Sequence, residues 1–196
     1  DADLTGLIAE WQERQTAVDA SLQQYVGRKK WLKFWPVYAE FTATAGQGAL
    51  PHLPLTPYKA GHLIPGLLYA RVAGVRAFDD YGRSNLTAAN IPQLHQLRIQ
   101  CKELRYAFEF FAPLLGPEIE PVIAVLEQLQ DNLGALNDAR VALELLGNMA
   151  GINTVAHYRQ LKQTEIEHLL AAFPPLWKTL NGSDWRRNLA LALAVL

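Results

Sequence analysis

This 196-residue chain has one cysteine, one methionine and almost no net charge: Lys and Arg total 18 against 19 Asp and Glu, a formal charge of −1. A protein that coats nucleic acid without regard to sequence carries a clear positive excess, so any anion site here must arise from local clustering. The lone Cys101 cannot form an internal disulfide, which fits a reducing compartment. Inside a helical pattern it reads as a small apolar filler. No apolar run approaches the roughly 18 residues of a membrane span, and the start lacks a basic segment leading into an apolar one. The expectation is a soluble, cytoplasmic protein without a membrane partner. Also missing are a Gly-x-x-x-x-Gly-Lys-Ser/Thr loop, a Gly-x-Ser-x-Gly elbow and any Cys-x-x-Cys pair. Asp79, Asp80, Asp131 and Asp138 do not form the Glu and Glu-x-x-His set of a dimetal bundle, and His157 and His168 read as solvated. A non-enzymatic protein without cofactor or metal is expected.

What is present is helical periodicity over a composition that is 50% hydrophobic, enough for one sizeable core. Leu4 to Val26 predicts a first helix stopped at Gly27, and Arg28 to Thr44 a second, carrying Trp31, Phe34, Trp35, Tyr38 and Phe41 with Pro36 inside it. Trp31, Trp35 and Phe108 are expected in the core. Residues 45–57 hold two glycines and three prolines and predict the longest loop. Tyr58 to Tyr81 predicts a third helical region kinked near Pro65-Gly66. Asn90 is the expected cap of a fourth helix that has Pro92 in its first turn and stops near Pro113 to Gly116. Pro117 opens a long helix to about Ala150, Asn153 caps another to about Phe173, and Asp184 to Leu196 forms the last. No segment sustains period-two alternation, so the fold class is all-α, an antiparallel helical bundle.

The most informative stretch is His95-Gln-Leu-Arg98-Ile-Gln-Cys-Lys102-Glu-Leu-Arg105-Tyr106, with cationic or titratable side chains at offsets of 0, 3, 7 and 10. At about 100° per residue these fall within an arc of roughly 80°, one ridge of positive charge along a helix. Leu94, Leu97, Leu104, Phe108 and Phe111 occupy the adjoining face and anchor the ridge at the edge of the core. Arg98 and Arg105 offer planar donor forks suited to phosphate oxygens, Lys102 a mobile point charge, and His95 a charge only when protonated. The structural alternative is a solvated face with Arg105 paired to Glu109 at i,i+4.

His95-x-x-Arg98-x-x-x-Lys102-x-x-Arg105-Tyr106, then Glu109 and the block Leu129-Gln-Asp-Asn-Leu-Gly134-x-x-Asn137-Asp138, resembles the CHAD domain, the conserved-histidine α-helical domain. The resemblance implies two similar helical halves, each with a His-x-x-Arg helix followed by a Leu-Gly-x-x-x-Asp segment, and binding of inorganic polyphosphate. It also implies a setting beside a triphosphate-tunnel enzyme domain or at polyphosphate granules. The expected organisation is a single domain over residues 1–196, with 1–89 the end of the first half plus connecting helices and 90–196 the second half. Asp1-Ala2-Asp3-Leu4 echoes Asp138-Ala139-Arg140-Val141, as though it were the tail of the first half's Asp-containing motif. With no initiator Met and no first His-x-x-Arg helix, the chain reads as a domain lacking its first helices.

Further cations extend the candidate site. Arg28, Lys29, Lys30 and Lys33 surround the aromatic-rich second helix, and Arg71 and Arg76 lie in an otherwise apolar stretch where they line a groove or reach carboxylates. Lys59 and His62, three apart, can join the same surface, whereas Arg186 and Arg187 read as simple surface residues. Asp131 and Asp138 are expected to orient arginines, with Gly134 allowing close helix approach. The polyphosphate-binding set is therefore His95, Arg98, Lys102, Arg105, Tyr106, Arg28, Lys29, Lys30, Lys33, Arg71 and Arg76. Alternatives are a nucleic-acid-associated helical protein using the same ridge and a scaffold bundle docking an acidic protein. Nucleic acid is disfavoured because base stacking needs exposed aromatic rings.

Overall fold

The computed structural model describes residues 2–49, 54, 58–147 and 153–196. Among them are seven α-helices and no strands: α1 (Ala2–Val26), α2 (Lys29–Ala43), α3 (Ala60–Arg76), α4 (Ile91–Phe111), α5 (Ile119–Leu146), α6 (Asn153–Leu180) and α7 (Ser183–Leu193). The all-α expectation holds. None of these helices is long and apolar enough to cross a membrane. Asp1, most of the expected 45–57 loop and the expected helix end at Ala150 lie outside the described residues, as does the side chain of the expected cap Asn153. The chain divides into two compact units, Asp1–Thr56 and Pro57–Leu196.

The first unit contains α1 and α2. They meet at Gly27, whose N–H donates to Gln23 O at 2.9 Å. Tyr25 and Trp31 contact edge to face across the turn, and Arg28 places its guanidinium over the Tyr25 ring. α2 buries no side chain, so the expectation that Trp35 is core is corrected: Trp35 is exposed and Trp31 half-buried. Trp31, Phe34, Trp35 and Tyr38 do share one face of α2 and contact one another along it. Periodicity says which residues share a face, not whether anything covers it.

The second unit is built round α5, which packs against α4, α6 and α7, while α3 packs on α4. The apolar arc of α4 is as expected: Leu94, Leu97, Leu104 and Phe108 are fully buried, with Cys101 in the same row. They meet Leu126, Leu129, Leu133 and Leu136 of α5, and Phe173, Trp177 and Leu180 of α6 close the core. The Trp185 indole N–H donates to Val122 O at 3.1 Å, tying α7 to α5. At the far end of α3, a Cβ on Gly61 would stand 2.5 Å from Leu196 O, so that contact requires glycine. Gly82 is equally constrained, because a Cβ there would overlap Cδ1 and Nε1 of Trp177.

Two expected boundaries are corrected. α6 does not stop near Phe173 but runs through Pro174 and Pro175 to Leu180. Proline removes two backbone donors, yet burial of Phe173, Trp177 and Leu180 on one face continues the helix past them. Asn90 makes no side-chain cap to α4. Its Oδ1 instead accepts from the Thr87 N–H at 2.9 Å, closing a short 3-10 turn over Ala88–Asn90 that feeds directly into α4.

Candidate functional site

α4 and α5 run antiparallel, and their register follows from two contacts. Arg105 Nη1 reaches Glu127 Oε1 at 3.3 Å, and a Cβ on Gly134 would lie 3.7 Å from Arg98 Nε. Between these levels the helices enclose an open groove of about 460 Å³ lined by Arg98, Lys102, Arg105, Tyr106, Gln130, Asp131, Gly134, Ala135 and Asp138. Three of the four ridge residues, with Tyr106, therefore meet the block that follows them in the sequence.

Within the groove the cations are not equivalent. Arg105 is held from three sides: its Nε donates to Gln130 Oε1 at 3.0 Å, and Nη1 pairs with Glu109 at 2.9 Å and with Glu127. Gln130 is itself fixed, since its Nε2 donates to Cys101 O at 2.9 Å across the helix interface. The i,i+4 pair with Glu109 is the structural alternative noted above, and for Arg105 it is present. Arg98 and Lys102 have no ion pair among the described residues. Lys102 Nζ lies 5.7 Å from the centroid of the Tyr106 ring, and the Arg105 guanidinium 5.0 Å from it. The exposed ring so gathers two cations at the groove mouth.

Asp131 and Asp138 stand on the α5 wall beside Arg98 and Arg105, but neither forms an ion pair with an arginine among the described residues, and Arg105 is held by Gln130, Glu109 and Glu127 instead. Gly134 is not sterically required, since 3.7 Å is ordinary van der Waals contact. It keeps the groove floor open beside Arg98. His95 is not on the lining. One turn back from Arg98, the register puts it level with Asn137, and both His95 Nδ1 and Asn137 Oδ1 are buried without a partner among the described residues.

The remaining candidates lie elsewhere. Arg71 is paired with Glu103 at 2.8 Å and Arg76 with Asp79 at 2.8 Å, so both reach carboxylates, and Arg76 also lines an open cleft separate from the α4–α5 groove. The hydrogen bond to Asp79 holds the Arg76 guanidinium above its ordinary range, against the opposing effect of burial. Arg28, Lys29, Lys30 and Lys33 belong to the first unit, exposed at the turn into α2. Lys59 and His62 are exposed at the start of α3, with His62 edge-on to Tyr58. Sequence reasoning missed Gln130 and Glu127. The signal was available only as the Gln of Leu129-Gln130-Asp131, which acquires a role once α5 is laid antiparallel on α4.

Cys101 sits at the back of the groove wall, and burial alone pushes its thiol up to about 12. A thiol so raised stays protonated and is a poor nucleophile at neutral pH. Among the described residues no three His, Cys, Asp or Glu side chains are grouped to hold a metal ion. What the groove offers is two unpaired cations, a fixed third and an aromatic ring on a rigid helix pair, an arrangement suited to holding an anion.

No curated protein matches this chain. The family model for the CHAD domain matches residues 1–147, which include α4, the groove and all of α5. The chain belongs to the CHAD domain family, a non-catalytic domain family associated with polyphosphate binding.

Proposed function

We propose that this protein binds inorganic polyphosphate, without catalysing its turnover, through the α4–α5 groove. The observation that carries the reading is that Arg98 and Lys102, inside the family's motif, face one groove without carboxylate partners among the described residues. Polyphosphate carries about one charge per phosphate and has no bases to read, so recognition reduces to cations spaced along a track. Arg98 supplies a donor fork and Lys102 a point charge. Arg105 and Tyr106 shape the mouth, and His95 acts from one turn away. Arg28, Lys29, Lys30 and Lys33 provide further phosphate contacts on their own helix. Arg71 and Arg76 contribute only by exchanging their carboxylates for phosphate.

In the same reading residues 90–196 are the second half of the domain, and 1–89 carry the end of the first half and the connecting helices. A triphosphate-tunnel enzyme domain, fused or associated, is the protein partner, and the site of action is cytoplasmic, at polyphosphate granules. Phe34, Trp35 and Tyr38 of α2 are exposed, with Lys29 and Lys33 on the opposite arc but Arg28 and Lys30 flanking them, so exposed rings do not by themselves decide against the nucleic-acid alternative. Competition tests the reading: long-chain polyphosphate displaces labelled single-stranded DNA of equal total charge, and a mononucleotide does not. DNA winning at equal charge would transfer the groove to nucleic acid. An acidic protein displacing both would make it a docking surface.

A further inference from the structure

A second cluster of cations lies outside the groove, with Lys178 and Arg186 beyond the residues that the family model matches and Arg76 within them. The α6–α7 corner holds an open cleft of about 800 Å³, lined among others by Arg76, Asp79, Trp177, Lys178, Ser183 and Arg186. It shares no lining residue with the α4–α5 groove. Three cations face one carboxylate there. The α4–α5 groove sets three against two on its lining, and its Arg105 is further offset by Glu109 and Glu127. Asp79 is spent on Arg76. Lys178 and Arg186 are exposed and have no ion pair among the described residues, Arg186 making only a long contact to Gly182 O at 3.4 Å.

The start of α7 borders the same cleft: Gly182, which offers no side-chain cap, and Ser183 both lie on its lining. Asp184, in that first turn, lines the neighbouring cleft instead, together with the other side of Lys178. Arg186, read from sequence as a simple surface residue, is thereby brought to a site by the turn at Asn181–Gly182. The cleft falls within the size of ordinary small-ligand pockets, about 300–1,000 Å³.

We propose that the α6–α7 cleft is a second anion site, which takes a compact phosphate ligand of two or more charges independently of the α4–α5 groove. Lys178 and Arg186 are its principal contacts, Arg76 supports it through donors not engaged by Asp79, and Trp177 forms the wall against Gly82. This goes beyond polyphosphate binding by the groove and does not depend on it.

Inorganic tripolyphosphate is the probe, and the assigned indole N–H signal of Trp177 in the full chain is the reporter. Tripolyphosphate shifts that signal in the parent and in Arg98→Ala/Lys102→Ala. In Lys178→Ala/Arg186→Ala the same titration is weakened by at least about tenfold, because both unpaired charges are gone. If the double alanine variant loses its fold, Lys178→Gln/Arg186→Gln decides by the same criterion. No Trp177 shift at millimolar tripolyphosphate, or a shift that survives both pairs of substitutions, overturns the proposal. Failure of the groove reading shows up separately, as undiminished long-chain polyphosphate binding by Arg98→Ala/Lys102→Ala.

Discussion

Removing Arg98 and Lys102 together should change how polyphosphate binding depends on salt, and removing Arg105 should not. On a single-stranded polyanion each cation that neutralises a phosphate contributes about −0.7 to the slope of log affinity against log salt. Arg98 and Lys102 have no ion pair among the described residues, so both count; Arg105 already faces Glu109 and Glu127 and adds little. The Arg98→Ala/Lys102→Ala variant should therefore lose about 1.4 from the slope. Between 50 and 200 mM salt, the parent's affinity should then fall about sevenfold more than the variant's.

Stability separates the same residues in the opposite sense. Arg98 and Lys102 take no part in the core, and their loss should leave thermal unfolding unchanged within about 0.5 kcal/mol. Arg105→Ala leaves the Gln130 carbonyl and two carboxylates without their donor, at a cost of about 1–3 kcal/mol. Fluorescence anisotropy with labelled long-chain polyphosphate at four salt concentrations, alongside melting by circular dichroism, measures both. An Arg105→Ala slope change as large as that of the double variant would refute the division into free and committed cations. So would unfolding of the double variant.

Gly134→Ala should stabilise the protein by up to about 1 kcal/mol, since alanine gains helix propensity and its Cβ meets only ordinary contact with Arg98. Polyphosphate affinity should be retained, and a loss of stability on denaturant titration would show that the glycine is needed for helix approach after all. Cys101 should resist a disulfide reagent at pH 8 in the folded protein and react on unfolding, because its thiol is buried and titrates at about 12. The sign follows from the raised value: the neutral thiol favours the fold below about pH 9, and this contribution is lost as pH climbs towards 12.

The helices that build the site were legible because α4 satisfies two periodic patterns at once. Its leucines and Phe108 recur at helical spacing, its cations recur on the neighbouring arc, and burial follows the first pattern as expected. What was not legible depended on partners distant in sequence. Arg105 and Arg98 look alike within the motif, and only the antiparallel placement of α5, with Glu127 and Gln130 twenty-two and twenty-five residues on, commits one and leaves the other free. Local signals also misled where tertiary burial outweighed them. The sixth helix was expected to end at about Phe173, just before Pro174-Pro175, yet Trp177 and Leu180 are buried beyond it. Arg186 looked unremarkable until the turn before α7 set it beside Lys178.

The near-neutral composition and the anion-binding reading are compatible once distance is considered. At physiological salt, exposed charges more than about 8 Å apart are largely screened, so a bound phosphate responds to the side chains of its own groove and hardly at all to the total charge of −1. Five arginines pair with carboxylates: Arg14 with Glu10, Arg71 with Glu103, Arg76 with Asp79, Arg105 with two glutamates and Arg140 with Glu144. Within the α4–α5 groove pairing commits Arg105 to Glu109 and Glu127 and leaves Arg98 and Lys102 without an ion pair among the described residues, so these two are the cations a phosphate meets there. A uniformly basic helix would bind any polyanion along its length. Pairing some cations and not others favours binding where the fold leaves a charge without a partner.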